Sequence, residues 1–223
     1  MLFFVMFPAF IAVVAVVAGF ECPGGQLTPQ QRIDIVNQHN EFRSLLIHGK
    51  LKNKDNIFMP QGKNMLQMTW SCQLENSAQT WADQCIFGHS PRKQREGIGE
   101  NFYAYWSSAN VEKFRGNAGT DAGKSWWSEL PQLYTDNPSN ILTPEVYSQG
   151  VSHFTQMAWG NTHEIGCGIA TKCEGGRSLI VICHYSPRGN WLRHLIYELG
   201  EPCKTDSDCD TKKCLEESGL CEK

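Results

Sequence analysis

His153-Phe154-Thr155-Gln156-Met157-Ala158-Trp159 is one of four short motifs that decide how this chain reads. The others are His39-Asn40-Glu41-Phe42-Arg43, Gly99-Glu100-Asn101-Phe102 and Cys183-His184-Tyr185-Ser186-Pro187-Arg188-Gly189-Asn190-Trp191. Each alone is too short to be specific. All four in order, among ten cysteines, are specific and read as parts of one site.

Outward from the motifs, the elements mix without a regular βα alternation, which indicates an α+β fold. Thr28 is a helix N-cap with Pro29 at the first helical position. Ile35, His39, Phe42 and Leu46 follow on one face, and Gly49 ends the helix. Residues 50–63 read as an exposed loop. Ser71 caps a second helix whose buried stripe is Leu74, Ala78, Trp81 and Cys85. Ile98 to Tyr105 is aromatic and extended. A third helix is expected from near Asp121 through Trp126, Trp127 and Glu129 until Pro131, followed by a long loop, Gln132 to Gln149. Glu164–Thr171 and Ser178–Tyr185 read as strands joined by a hairpin at Glu174-Gly175-Gly176.

Residues Met1 to Phe20 are uncharged and almost wholly apolar. They read as a signal peptide over 1–19, cut near Ala18 and Gly19, although a basic n-region is lacking. The alternative is a membrane anchor, against which stands the absence of flanking Lys or Arg clusters. The chemistry of the rest fits a secreted, extracellular protein: ten cysteines behind a leader read as five disulfides. Without a Cys-x2-Cys pair a thiolate zinc site is disfavoured. Net charge is −3 with no long run of either sign, which argues against nucleic acid. No membrane span is expected after signal cleavage. Past Gly200 the chain turns Cys-, Asp- and Lys-rich, and four cysteines must hold residues 200–223 together.

The four motifs resemble the signatures of the CAP superfamily, comprising cysteine-rich secretory, antigen-five and pathogenesis-related class-one proteins, over roughly Thr28 to Trp191. The resemblance implies a three-layer α-β-α sandwich over residues 20–199 with a short disulfide-rich C-terminal extension. It suggests the pairs Cys85–Cys173, Cys167–Cys183, Cys203–Cys214 and Cys209–Cys221, which leaves Cys22–Cys72. It also implies a cleft tetrad of His89, Glu100, Glu129 and His153. Imidazoles are good zinc ligands, and adjacent carboxylates fix their orientation. With only His89 and His153 as metal ligands, binding would be weak, and no cofactor is required. The competing reading is a hydrogen-bonded cluster that braces the cleft without metal.

Relatives bind sterols or fatty acids, and the corresponding loop here carries Ile141, Leu142, Val146 and Tyr147; local packing is the favoured reading of those four. The remaining histidines have structural readings: His39 and His184 internal, His48, His163 and His194 solvated. Trp81, Trp126, Trp127 and Trp159 are expected in the core. Asn40, Arg43, Asn101 and Asn190 are expected to be internal hydrogen-bonding anchors.

The stretches around Gln31-Arg32-Ile33 and His39 to Ser44, the strand Gly166-Cys167-Gly168-Ile169-Ala170 and the four-cysteine tail look most like nematode activation-associated secreted, or venom-allergen-like, proteins. That resemblance implies a non-enzymatic effector that modulates a host or other extracellular protein partner, with homodimerisation left open. A sterol or fatty-acid carrier is the first alternative. A metal-dependent hydrolase is the second, although no Gly-x-Ser-x-Gly or His-Glu-x-x-His motif is present.

Overall fold

A computed structural model describes residues 19–223. The expected leader lies outside these residues apart from Gly19. No helix among them is long and apolar enough to cross a membrane.

Helix α1 (Pro29–Ile47) begins where the sequence dictates. The Thr28 hydroxyl accepts the Gln31 N–H while the Gln31 side chain accepts the Thr28 N–H at 2.9 Å, closing a capping box. Gly49, at φ +66°, turns the chain away. Next come two short strands, β1 (Gly62–Lys63) and β2 (Thr69–Trp70), and helix α2 (Cys72–Ala82), capped by Ser71. Strand β3 (Gly99–Trp106) follows, then helices α3 (Ala118–Trp127), α4 (Glu129–Leu133), α5 (Pro144–Tyr147) and α6 (Ser152–Met157). Strands β4 (Glu164–Cys173) and β5 (Ser178–Ser186) form the expected hairpin, and β6 (Glu198–Leu199), β7 (Cys214–Leu215) and β8 (Leu220–Cys221) complete the chain.

The central sheet has the order β2-β4-β5-β3, with β2 parallel to β4 and the other pairs antiparallel. Period-two alternation splits β5 between two cores. Leu179, Val181, Cys183 and Tyr185 join the core beneath α1, α3 and α6, while Ile180 and Ile182 pack with Ala78, Trp81 and Ala82 of α2. Helix α2 lies so close to the sheet that a Cβ at Gly166 would sit 2.1 Å from Glu75 N, and one at Gly168 2.3 Å from Gln79 Cα. The Gly-x-Gly of β4 thus admits the helix backbone. This is the three-layer sandwich that the resemblance implied.

The disulfides are Cys22–Cys72, Cys85–Cys173, Cys167–Cys183, Cys203–Cys214 and Cys209–Cys221, and no cysteine is free. The tail docks on the body: Leu220 is buried in the main core, and Cys221 exchanges backbone hydrogen bonds with Met65 and Gln67.

Three local expectations need correction. The third helix starts earlier, at Ala118, and breaks at Ser128, after which α4 runs through Pro131 rather than stopping at it. Pro131 is the third residue of α4, where a backbone N–H has no intrahelical acceptor to lose. The 132–149 loop contains α5, capped by the Thr143 hydroxyl with Pro144 at its first position. The 50–63 loop is not wholly exposed: Met59 enters the main core, and Asn53 is buried, its Oδ1 accepting the Asp55 and Ile57 N–H groups.

Arg43 is the unusual core residue. Fully buried, it donates to the carbonyls of Leu66, Met157, Trp159, Gly160 and Thr162 at 2.7–3.1 Å. Burial pulls its pKa down to about 9. Among the described residues no carboxylate lies within 4.0 Å of it. Arg43→Lys keeps the charge but cannot reach five carbonyls from one ammonium, so it should destabilise the fold by about 3–5 kcal/mol, the cost typical of breaking a buried charged network. Urea unfolding of the two proteins measures this. A loss below about 1 kcal/mol, the surface-pair scale, would refute the role given to the guanidinium.

Candidate functional site

Strand β3 builds the site by alternation. Glu100, paired in register with His184, faces the α2 side, while Asn101 faces the other. The Glu100 side chain is fully buried and accepts from His89 Nδ1 at 2.7 Å, the Ser90 N–H at 2.9 Å, the Ser90 hydroxyl at 2.6 Å and His184 Nε2 at 3.0 Å. Arg95 Nε stands 3.7 Å away. Burial works to raise this carboxyl, but the hydrogen bonds from His184, His89 and Ser90 together with the Arg95 charge prevail and hold it well below the usual carboxylate range.

His89 sits on the loop leaving α2, which Trp81 fastens by donating its indole N–H to the Gly88 carbonyl at 2.9 Å. Its side chain is 54% exposed. His153 lies in the first turn of α6, stacked on Trp126 at 6.0 Å between ring centroids. Glu129 stands at the start of α4 and binds it from behind. One carboxylate oxygen accepts the backbone N–H groups of His153 and Phe154 at 3.0 and 2.9 Å, and the other meets His153 Nδ1 at 2.5 Å. Asn101 donates to the His153 carbonyl at 3.2 Å.

Because a carboxylate can only accept, each imidazole must donate from Nδ1, which leaves both Nε2 lone pairs without a protein partner among the described residues. The two histidines, Glu100, Asn101 and Gln156 line one cleft of about 370 Å³, with Arg92, Arg95 and Arg188 also on its wall. Glu129 stands behind His153 and outside the lining. Gly99 and Gly189 allow the walls to approach: a Cβ at Gly99 would fall 2.1 Å from Gln156 Oε1, and one at Gly189 2.7 Å from Trp159 Cγ.

The tetrad is thus two carboxylate–histidine pairs facing one cleft. Such a donor set fits a borderline divalent ion, since Nε2 is available and Nδ1 is fixed by a carboxylate. No third protein ligand among the described residues joins them. Among the described residues, the one group of three or more His, Cys, Asp or Glu ligand atoms within 4.8 Å is Cys203, Cys209 and Cys214, whose sulfurs are tied in disulfides.

The other candidates fall as follows. Leu142 and Val146 are core residues, and Leu142 is clamped by backbone hydrogen bonds with Arg193 and His194. Ile141 is half-buried, and Tyr147 is exposed on the cleft rim. His39 is buried, donating to the Ile35 carbonyl at 2.8 Å and accepting from the Tyr185 hydroxyl at 3.1 Å. Burial drops its pKa to about 4. Asn40 brackets Met68 through both its N–H and carbonyl, and Asn190 ties Ser152 to Thr155. The four expected tryptophans are all buried. His194 is exposed, while His48 and His163 are half-buried rather than solvated, because the docked tail covers them: Gly219 lies beside His48, and Lys223 Nζ meets His163 Nε2 at 2.8 Å. His184 was legible only as an internal residue, yet it is the third imidazole in the network, held between Glu100 and the Ser77 hydroxyl. The strand period was the available signal: His184 alternates with Cys183 and Tyr185 and so shares the α2 face with Glu100, its partner across the β3–β5 pair.

With this geometry in hand, comparison with known proteins is decisive. The family model "CAP: Cysteine-rich secretory protein family" matches residues 36–185. The chain belongs to the CAP family. A curated relative, the Ancylostoma secreted protein of Ancylostoma caninum, is 34% identical over 206 residues, which are 90% of this chain and 46% of that protein. The chain therefore spans less than half the length of that relative. Among solved structures, that of BmVAL-1 is 75% identical with a TM-score of 0.91, covering 92% of this chain and 99% of that one. The structure of "NaASP2 with Zn2+" is 34% identical with a TM-score of 0.80, covering 90% and 100%. This is thus a CAP domain of the venom-allergen-like and Ancylostoma-secreted-protein kind.

The Glu100 network predicts a pH dependence of folding. A carboxyl whose folded pKa is depressed contributes stability that is complete above its unfolded value, about 4.3, and is lost as pH falls through the folded value. Glu100→Gln should therefore lower stability at pH 7 and flatten its decline between pH 5 and pH 3. Urea midpoints across that range for both proteins test it; parallel curves would remove Glu100 as a source of acid sensitivity.

Proposed function

We propose that this CAP domain is a secreted, non-enzymatic binding protein whose cleft takes a divalent metal ion through Nε2 of His89 and His153, and that it acts on an extracellular partner. The observation that carries the reading is the pair of carboxylate-oriented imidazoles with both Nε2 atoms open on one cleft. When bound, the ion would supply a Lewis-acidic centre with positions left for water or a ligand atom of the partner. The 34% identical structure of NaASP2 is one with Zn2+, which agrees with zinc as the ion.

The hydrolase alternative is weaker for a physical reason. A general base works best with a pKa near the operating pH, whereas Glu100 is held ionised by several donors, far below it. Ser90 Oγ is engaged as a donor to that same carboxylate, and every cysteine is oxidised. The lipid-carrier alternative loses its lid, since Leu142 and Val146 are parts of the core. The cavity bounded by Tyr103, Tyr105 and Phe114 is about 200 Å³, below the usual range for drug-sized ligands, and the larger cleft beside Trp159, Trp191 and Ile196 also carries Lys63, Arg193 and Glu198 on its walls.

Zinc titration by calorimetry at neutral pH is the test. Wild type should bind, and binding should weaken on acidification because a protonated imidazole offers no lone pair. His89→Ala/His153→Ala should abolish the heat, and Glu129→Gln, which disturbs the support of His153 and of the first turn of α6, should weaken affinity about 10- to 100-fold. Zinc binding that survives the double substitution would place the ion elsewhere and end this reading.

A further inference from the structure

The cleft wall carries a second chemistry that the tetrad does not use. Arg92, Arg95 and Arg188 all line it beside His89 and His153. They come from two separate segments: Arg92 and Arg95 from the turn after His89, Arg188 from the loop after β5. That loop is held to the first segment where the Arg188 N–H donates to the Gly97 carbonyl at 2.9 Å.

Guanidiniums so gathered repel one another unless something negative lies among them. Burial, then the charges of Arg92 and Arg95, depress the Arg188 guanidinium below its ordinary range. Among the described residues the one carboxylate within 4.0 Å of any of the three is Glu100, which already accepts from two imidazoles and Ser90 and stands 3.7 Å from Arg95. Neither Arg92 nor Arg188 has a carboxylate within 4.0 Å among the described residues.

The donors are also unevenly satisfied. Arg95 directs Nε to the Ser90 carbonyl and Nη1 to the Ile98 carbonyl, leaving Nη2. Arg188 stacks on Trp191, 3.7 Å from the ring centroid, which orients its plane, and its Nε is buried with no hydrogen-bond partner. An orphaned buried donor of this kind is costly and marks a place where an acceptor belongs. Planar forks approaching from different segments match the spread oxygens of a tetrahedral anion better than the two coplanar oxygens of a carboxylate. Ile98, Tyr147 and Leu192 add apolar surface at the same cleft.

We infer that the cleft binds an oxyanion, the phosphate or sulfate group of an organic monoester, on Arg92, Arg95 and Arg188, with the organic part against Ile98, Tyr147 and Leu192. This deepens the proposed binding role of the cleft and rests on it, but it needs no metal. The volume of about 370 Å³ admits such a group with one attached ring.

The test is calorimetry in a chloride buffer with EDTA, titrating inorganic phosphate, inorganic sulfate, phenyl phosphate and phenyl sulfate. Saturable metal-free binding is expected, tighter for the phenyl esters than for the free ions if the organic part is recognised. Equal affinity for ester and free ion would keep the oxyanion site and assign it to the anion alone. Arg92→Gln and Arg188→Gln should each weaken binding about tenfold or more, the scale of a lost charge-assisted hydrogen bond. Lys93→Gln, one residue along and outside the cleft lining, should leave it unchanged. Arg92 is exposed, so its variant folds and keeps the test decisive even where Arg188→Gln does not. Absence of saturable binding in wild type, an equal loss in Lys93→Gln, or binding that requires added zinc would each overturn the inference. Because the titrations are metal-free, a failed zinc site and a failed anion site give different results.

Discussion

One buried guanidinium holds the frame on which the cleft depends. Arg43 projects from α1 and gathers carbonyls from the segment before β2 and from the segment leaving α6. Those segments contain no regular element of their own, so their inward carbonyls need donors from elsewhere. A fork with five N–H groups in a fixed plane is the side chain suited to serve several at once. The same turn of chain places His153 at the start of α6 and Gln156, which accepts the Gly189 N–H, on the cleft wall. The site is therefore referenced to α1 through a charge that meets dipoles, with no carboxylate within 4.0 Å among the described residues.

A second set of bonds runs across the sheet. His39 reaches Tyr185, Tyr185 meets Asn101, and Asn101 donates to the His153 backbone. On the opposite face of the same strand, Glu100 collects His89, Ser90 and His184. Adjacent residues of β3 thus anchor the two halves of the cleft from two faces of one sheet. The bidentate Arg32–Glu75 pair, buried between α1 and α2, ties the outer layers to each other past the end of the sheet.

The fold was largely legible because its signals are local. The Thr28 capping box, the Ser71 cap, the two strand segments that became β4 and β5, and the hairpin turn between them each follow from residues a few positions apart. The tetrad was legible through motif resemblance, since no periodicity would bring residues 89, 100, 129 and 153 together. What escaped were interactions between residues distant in sequence whose partners are generic. Arg32 and Glu75 carry no mark of pairing, His184 looks like any strand histidine, and the arginine group depends on two loops meeting. The third helix was misplaced because proline was read as a terminator without asking which helical position it held.

The same network supports the proposal that the cleft binds rather than turns over. Proton transfer needs a group that changes charge readily near neutral pH, and Glu100 is held to one state by donors on several sides. Glu129 is committed to two backbone N–H groups as well as to its histidine, so moving it would uncap α6. What these carboxylates do well is hold two imidazoles still, each with one nitrogen committed and the other open. A fixed pair of lone pairs beside partly unsatisfied guanidiniums is a surface of opposite preferences, soft donor on one side and cation on the other. In the proposed role, such a surface would select its ligand by chemistry.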